Sequence, residues 1–283
     1  MTVSISPALI EQAEAESYAD FEAAASPAAR AALGTRQLRT GGGVALAVPN
    51  DPSGFWSKTI GLGFAEPVSA RLLEQVIGFY REQAMSAVTL QIAPHVLPPD
   101  WKDICASLNI SDGGSAWVKL VGGLDTVVPL SRAAAAGLDA GLRVGKVTAP
   151  GAREWAQVMF DVFGLPAGPQ LEMAIGCVGR PGWQTFAVFE GSAIVATASV
   201  HIYEGAGHLF GGATLPRARG RGAQSALIAA RAAAAQEAGC AWLIGETGAE
   251  APGEHNTSLH NMLRAGMTAR YERKNWKWRS PAA

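Results

Sequence analysis

The chain has 283 residues, which is enough for two domains of moderate size, and 48% of these residues are hydrophobic, which favours packed cores over global disorder. Its formal net charge is −1 at pH 7, so the strongly basic surface of a nucleic-acid or anionic-membrane binder is not expected. No stretch is long and apolar enough to span a membrane, and the N-terminal segment lacks the basic and apolar parts of a secretory signal. These observations predict a soluble, cytoplasmic protein.

The three cysteines, Cys105, Cys177 and Cys240, lie far apart and are flanked by apolar residues. Their spacing fits neither a metal site nor a disulfide framework. We therefore expect them to be small buried side chains, and we expect no metal ion.

In the first half of the chain, helical spacing over residues 5–33 predicts one or two helices. Alternating strands and helices are predicted next, in the order strand 41–50, strand 57–64, helix 67–83, strand 87–94, helix 98–110 and strand 115–122. The alanine-rich segment 131–141 is predicted to be a helical or flexible connector.

In the second half, the predicted order is strand 142–150, helix 152–163, strands 183–191, 192–203 and 207–215, helix 223–235, strand 240–248, helix 257–266 and strand 268–278. Both halves thus place a strand, a helix, a strand, a short helix and a strand in the same order. This predicts a tandem α/β protein with one domain over 1–137 and another over 138–283. The span from Leu209 to Trp242 is longer than the span from Ile60 to Val88. We assign the extra residues to the loop before the helix.

That loop, in the segment TLPRARGRGAQSAL (214–227), combines arginines and glycines directly before a regular helix. A helix N-terminus carries free N–H groups and a partial positive charge, and glycines let a ligand approach the backbone closely. Arginines beside it can bind phosphate oxygens. The segment therefore predicts a pyrophosphate site, although it lacks the lysine of a P-loop and the third glycine of a dinucleotide-binding fingerprint.

The loop resembles the pyrophosphate motif of the GNAT superfamily of N-acyltransferases, which reads Arg-x-x-Gly-x-Gly/Ala between a strand and a helix. Two registers fit, one starting at Arg217 and one at Arg219. The family's spacing from a proline, here Pro216, favours Arg219. In that register Gln224 stands where the family has glycine or alanine.

A second segment, NTSLHNMLRAGM (256–267), resembles the short helix that ends in Leu-Gly-Phe in this family. Ser258 stands at the small-residue position, and the family's asparagine falls on His255 with Asn256 beside it. The family's tyrosine, the general acid that protonates the leaving thiolate, falls on Met262. This departure keeps a second interpretation open, in which the protein is a non-catalytic CoA-binding or regulatory module.

The resemblance implies two GNAT-like domains, each a mixed twisted sheet flanked by helices, with a splayed strand pair in the second. Acetyl-CoA would lie in the splay and pass its acetyl group to an amine by direct attack in a ternary complex. The implied CoA-binding residues are Ala213, Thr214, Leu215, Arg219, Gly220, Arg221, Gly222, Ala223, Gln224, Asn256, Ser258 and Asn261. The first domain, which lacks this loop, is expected to bind no cofactor and to serve packing or acceptor shaping.

Glu246, at the end of the second splayed strand, is the preferred general base on placement alone, and His255 is the next candidate. His208 and Glu204 flank the start of the first splayed strand. The acceptor is expected to be a small-molecule or peptide amine. No nucleic-acid or membrane partner is expected, and association into a homodimer stays open.

Overall fold

The structure, a computed structural model, describes residues 4–251 and 253–281. The elements of the first half are α1 (Pro7–Ala23), α2 (Pro27–Leu33), β1 (Arg36–Thr40), β2 (Gly43–Ala47), β3 (Lys58–Ile60), α3 (Ala70–Glu82), β4 (Ala87–Gln91), α4 (Trp101–Leu108), β5 (Ile110–Gly123) and α5 (Leu124–Ala135). None of the helices in the described ranges has the length and apolar character needed to cross a membrane.

The elements of the second half are β6 (Leu142–Lys146), α6 (Ala152–Phe163), α7 (Leu171–Cys177), β7 (Trp183–Glu190), β8 (Ala193–Tyr203), β9 (Ala206–Thr214), α8 (Ala223–Glu237), β10 (Trp242–Gly248), α9 (Thr257–Arg264) and β11 (Thr268–Arg279). The three cysteines are free and buried, as predicted.

The strands form one continuous mixed sheet in the order β1-β2-β3-β4-β11-β5-β10-β9-β8-β7-β6. The last strand of the chain, β11, lies between β4 and β5 and pairs antiparallel with both. In turn β5 lies between β11 and β10, so the last strand of the first half borders the second half's strands. Each half therefore completes its hydrogen-bond ladder with a strand from the other. The boundary between residues 137 and 138 stays a prediction.

The two halves repeat one pattern of pairing. In the first, β2 pairs antiparallel with β3, and β3 pairs parallel with β4. In the second, β8 pairs antiparallel with β9, and β9 pairs parallel with β10. The predicted α/β class, with a mixed sheet in each half, is confirmed.

One sequence expectation needs correction. The loop before the helix is not longer in the second half, because residues 61–69 connect β3 to α3 and residues 215–222 connect β9 to α8. The extra length lies in β9, which extends far beyond the end of its counterpart β3. The segment 131–141, expected to be a helical or flexible connector, holds the end of α5 up to Ala135 and then the connection to β6; α5 itself begins earlier, at Leu124, and packs along α8.

The strands β9 and β10 separate part-way along their length. They are paired only where Ala206–His208 face Trp242–Ile244. Beyond that point β9 continues beside β8, and β10 continues beside β5, so a gap opens between them. A register shift between β8 and β9 places Gly211, with a φ of 60°, in a bulge at the edge of this gap. The predicted splay is thus confirmed.

The corresponding loop of the first half bonds to the turn between β1 and β2. The backbone nitrogens of Gly63, Phe64 and Ala65 all lie 2.9–3.3 Å from the carbonyl oxygen of Gly41. These donors are therefore engaged by the protein.

Candidate active site

The gap between β9 and β10 continues into two connected cavities. We call the first the outer cleft; it has a volume of about 860 Å³ and lies at the N-terminus of α8. The second, which we call the inner chamber, has a volume of about 240 Å³ and lies deeper in the splay. Four residues line both cavities and mark their junction: Phe163, Gly212, Gln224 and Ser258.

The loop 215–222 shapes the outer cleft through its glycines. Gly220 and Gly222 have φ values of 74° and 80°, the left-handed region that favours glycine. A Cβ at Gly222 would lie 2.5 Å from the carbonyl oxygen of Gly137, so no other residue fits without displacing backbone. Within the described part of the chain, the N–H groups from Gly220 to Ser225 donate to no protein acceptor. They form the donor-rich, partly positive site that a helix N-terminus offers to an anion.

The arginines of this loop have different surroundings. Arg219 is exposed and lines the outer cleft, and its Nε donates to Thr214 O at 3.3 Å. Arg221 lines neither cavity, because its guanidinium pairs with Glu190 at 2.6 Å and with Asp139 at 3.2 Å. Arg217 is exposed and also lies outside both cavities. This arrangement agrees with the register that starts at Arg219.

Gln224 has a structural role that explains a side chain at this position. Its Nε2 donates to Ser258 Oγ at 2.7 Å, and Asn261 donates its amide to Gln224 Oε1. Arg264, which also lines the outer cleft, donates to Asn261 Oδ1. These bonds join the start of α8 to α9 across the junction of the two cavities.

Asn256 is the N-cap of α9. Its Oδ1 accepts from the N–H groups of Ser258 and Leu259 at 2.9 and 3.2 Å, and its Nδ2 donates to Gly248 O at 2.7 Å. His255, with a side chain 67% exposed, stacks on His260 in the outer cleft and lies outside the lining of the inner chamber. His255 is therefore separated from the deeper part of the splay.

Most of the predicted CoA-binding residues lie together. Those lining the outer cleft are Ala213, Thr214, Arg219, Gly220, Gly222, Ala223, Gln224, Asn256, Ser258 and Asn261. Besides Arg221, Leu215 lies outside both cavities, because its side chain packs in the core and its N–H donates to Val195 O at 2.9 Å. Sequence reasoning missed Val162, Phe163, Glu250, Glu254 and Arg264. Of these residues, only Arg264 could have been predicted from the sequence, because it is a cation in the last turn of a predicted helix.

Glu246 lines the inner chamber with a side chain that is only 10% exposed. Its Oε2 accepts from Lys119 Nζ of β5 at 2.8 Å and lies 2.9 Å from His208 Nε2 of β9. On the other side of the imidazole, Ser17 of α1 lies 2.8 Å from Nδ1. Because a carboxylate only accepts, Nε2 carries a hydrogen and donates to Glu246, while the Ser17 hydroxyl that contacts Nδ1 also donates to Glu14 O at 2.8 Å.

This network sets the charge of Glu246. Burial alone would raise its pKa, but the Lys119 ammonium and His208 outweigh burial and hold the pKa of Glu246 well below its usual range. Glu14 of α1 also contacts Lys119 and pairs with the buried Arg273 of β11. The Glu246 side chain is therefore a carboxylate at neutral pH, facing the chamber.

The remaining walls of the inner chamber are largely aromatic or aliphatic and come from both halves. The first half contributes Tyr18, Phe55, Trp56 and Trp117, and the second contributes Met159, Phe163, Leu165, Leu209, Phe210, Ile228 and Met262. Met262 thus occupies this chamber in place of a hydroxyl-bearing side chain.

The sequence that forms this site is similar to a known protein family. A family model described as "Acetyltransferase (GNAT) family" matches residues 151–265, the segment that holds β7 to β10, the loop, α8 and α9. The segment 151–265 is therefore similar to the GNAT acetyltransferases. No curated protein sequence is similar enough to this chain to match.

Solved structures show that the GNAT fold extends over both halves. A GCN5-related N-acetyltransferase from Kribbella flavida is 17% identical, covers 88% of this chain and 90% of its own, and superposes with a TM-score of 0.59. A tandem GNAT protein from the clavulanic acid biosynthesis pathway is 14% identical, with coverage of 87% and 82% and a TM-score of 0.58. A GCN5-related N-acetyltransferase from Sphaerobacter thermophilus is 15% identical, with coverage of 78% and 71% and a TM-score of 0.58. The prediction of a GNAT-like α/β fold along the chain is confirmed.

The residues around the GNAT cleft fit the CoA expected from the resemblance. Free N–H groups at the start of α8 and the cations Arg219 and Arg264 suit phosphates. A cavity of about 860 Å³ suits a large cofactor. At Met262, α9 lacks the hydroxyl that the family's tyrosine would supply at this position, although Tyr18, Thr247 and Ser258 bring hydroxyl groups to other parts of the chamber wall.

Proposed function

We propose that this protein transfers an acetyl group from acetyl-CoA to the amine of a small acceptor. The observation that supports the proposal is the contact between two cavities: a cleft lined by free N–H groups and arginines shares four lining residues with a chamber that contains an ionised carboxylate. The first provides a place for CoA, and the second provides a place for an ammonium group.

In this proposal the outer cleft binds the phosphates of acetyl-CoA. The N–H groups from Gly220 to Gln224 and the guanidinium groups of Arg219 and Arg264 bind the phosphate oxygens. The amides of the pantetheine arm pair with the free edge of β9 near Ala213 and Thr214, where the strand has separated from β10. This backbone pairing positions the thioester at the inner chamber.

The Glu246 carboxylate attracts and orients the acceptor ammonium, and a water molecule beside it takes the ammonium proton to solvent. The free amine nitrogen then attacks the thioester carbonyl carbon. A C–N bond forms, the C–S bond breaks with its electron pair leaving on sulfur, and the nitrogen loses its remaining extra proton to water. His208 and Lys119 keep Glu246 ionised and fix its orientation.

The acceptor we propose is a small amine with an apolar or aromatic body, because the inner chamber has a volume of about 240 Å³ and largely apolar walls. Tyr18, Phe55 and Trp56 of the first half form part of these walls, which supports the acceptor-shaping role expected for that half. Such a reaction suits a cytoplasmic protein without nucleic-acid or membrane partners.

The alternative is a CoA-binding module without turnover, and the apolar Met262 favours it. Release of free thiol from acetyl-CoA, measured with a panel of apolar and aromatic amines, separates the two. Amine-dependent release supports the enzyme. CoA binding without release by any amine supports the module.

Binding itself is tested by thermal unfolding with CoA. A ligand at 100 times its Kd adds about 2.7 kcal/mol of stability, which for a chain of this size raises Tm by roughly 5–10 °C. We expect Arg219→Glu to abolish the shift, because it places a carboxylate beside the phosphates. Arg217→Glu makes the same change outside the cleft and should keep the shift. Wild-type protein that shows no shift with millimolar CoA would contradict the proposal.

A further inference from the structure

Arg231 of α8 is a buried cation without a carboxylate partner. Arg231 is only 4% exposed. Its Nε donates to Leu227 O at 3.1 Å, and its Nη1 lies 3.5 Å from Ser199 O. No acidic side chain of the described residues lies within 4.0 Å of the guanidinium. The buried cations Lys119 and Arg273 differ, because each contacts two glutamates.

The position of Arg231 connects it with the inner chamber. It lines the chamber together with Gln224 and Ile228, which share its face of α8. Its two Nη atoms lie 3.7 and 3.8 Å from the point that a Cβ on Gly212 would occupy, at the junction of the two cavities. Among the described residues, Arg231 is the only cation that lines the chamber.

A buried charge without a partner destabilises a fold. Burial lowers the pKa of Arg231 to about 9, which still leaves the guanidinium charged at neutral pH. A cation that faces a ligand cavity and has no protein counter-charge fits a ligand that carries a negative charge.

The source of that charge follows from the direction of α8. Under the proposed function, the phosphates of acetyl-CoA lie at the first turn of α8, near Ala223. Arg231 lies eight residues further along the helix, which is roughly 12 Å at 1.5 Å per residue. The end of CoA opposite its phosphates is the sulfur, and the cavities lead from the first turn of α8 to the chamber that Arg231 lines.

We propose that Arg231 is a catalytic residue that binds the CoA sulfur and stabilises the negative charge that forms on it. When the C–N bond forms and the C–S bond breaks, the electron pair stays on sulfur as a thiolate beside the guanidinium. The thiolate later takes a proton from water. Arg231 would thus provide by charge what a hydroxyl donor at the position of Met262 would provide by proton transfer. This inference rests on the proposed function.

The test compares the binding of CoA with that of desulfo-CoA, in which hydrogen replaces the thiol, by titration calorimetry at pH 6 and pH 8, where the Arg231 guanidinium stays mostly charged. A free alkyl thiol has a pKa of about 8.5, and a neighbouring cation lowers such a pKa by about one unit or more. For wild type we therefore expect the preference for CoA over desulfo-CoA to increase about threefold or more from pH 6 to pH 8. We expect Arg231→Met to abolish this increase, and Arg231→Lys, which keeps the charge, to retain part of it.

Two other effects could change the pH dependence of binding: a loss of folding and a change in the charge of another group. Desulfo-CoA affinity and Tm show whether Arg231→Met keeps the site intact, and removal of an unpaired buried charge should not unfold the protein. Burial raises the pKa of Tyr18 well above 10, and the pKa of Glu246 is held low, so neither chamber group changes charge between pH 6 and pH 8. Burial lowers the pKa of Lys58, whose ammonium lies over the Tyr18 and Phe55 rings of the chamber wall, to about 8. Lys58 and His208 are present in all the proteins, so their contributions cancel when wild type is compared with Arg231→Met.

The outcomes separate this inference from the proposed function. If wild type binds neither ligand, the proposed function fails. If both ligands bind and the preference for CoA does not depend on pH, or persists unchanged in Arg231→Met, the role of Arg231 is overturned while the CoA site stands. An increase only in the KM of carboxylate-bearing amines in Arg231→Met would overturn it in favour of acceptor binding. We also expect Arg231→Met to lower kcat about 100-fold with little change in KM for acetyl-CoA.

Discussion

At the scale of single residues, the chemistry of the site depends on a charge network buried at the junction of the two halves. Glu246 and Lys119 come from adjacent strands, β10 and β5, and face each other in register. Lys119 is fully buried, and its pKa, which burial would lower, is raised by Glu14 and Glu246. Breaking such a pair leaves an uncompensated charge in the interior.

Replacing Lys119 with methionine should shift the pH dependence of the reaction. Without the ammonium, burial dominates and the pKa of Glu246 rises, so the carboxylate stays protonated to a higher pH. We expect the acidic limb of the kcat/KM profile to move toward neutral pH, and stability to fall by about 3–5 kcal/mol. Rate measurements from pH 5 to 9 check the shift.

The direction in which stability changes with pH follows from the lowered pKa of Glu246 in the folded state. The stabilisation from the pair is complete above the unfolded pKa of about 4.3 and is lost as pH falls toward the folded value. Lys274→Met is the matched control, because Lys274 pairs with Asp112 on the surface with both side chains about half exposed. It should leave the pH profile unchanged, and a shift equal to that of Lys119→Met would contradict the role of Glu246.

At the scale of elements, the loop 215–222 positions the N-terminus of α8. Both Gly220 and Gly222 have positive φ, but their surroundings differ. A Cβ at Gly220 meets nothing within 4 Å, whereas one at Gly222 meets the backbone of Gly137 and Leu138. A side chain at either position would therefore strain the backbone, but only a side chain at Gly222 would collide with neighbouring atoms.

This pair of glycines allows a matched test of the loop. Gly220→Ala should cost about 1–2 kcal/mol of stability, the usual penalty for an L residue in the left-handed region, and should weaken CoA binding less than Gly222→Ala, because it displaces no backbone. Gly222→Ala should cost more and should weaken CoA binding at least tenfold, because the chain must move away from Gly137. Chemical unfolding and calorimetry with CoA measure both effects. Equal losses at the two positions would show that strain alone, rather than the close approach, matters.

At the scale of the whole molecule, the exchange of β5 and β11 ties the halves together. Residues 138–283 alone lack β5, so β10 would become an unpaired edge and Glu246 would lose Lys119. We expect this fragment to be insoluble or unable to bind CoA, and co-expression with residues 1–137 to restore binding. The intact chain should unfold in a single transition. A fragment that folds alone and shifts its Tm with CoA would refute this expectation.

The local pattern of the chain was sufficient to predict most elements and the outer part of the site. Glycines and arginines before a regular helix indicated the loop, and apolar periodicity indicated α3, α6 and α8. The short elements β1 and α7 were missed because their segments have weak periodicity. The sequence placed His208 at the start of a splayed strand, but its contact with Glu246 and the participation of Lys119 were not predictable, because these residues meet only through strand pairing.

The order of strands and helices, the loop rich in glycine and arginine, and the place of Glu246 at the end of a splayed strand could be predicted, because these follow from spacing, glycine and charge within one segment. The folded chain alone reveals that β5 and β11 exchange, that Lys119 and His208 contact Glu246, and that Arg231 lines the inner chamber with no acidic partner among the described residues. The physical reason is that burial and electrostatics depend on which distant segments become neighbours. That choice is made by the pairing of the whole sheet and not by any local pattern.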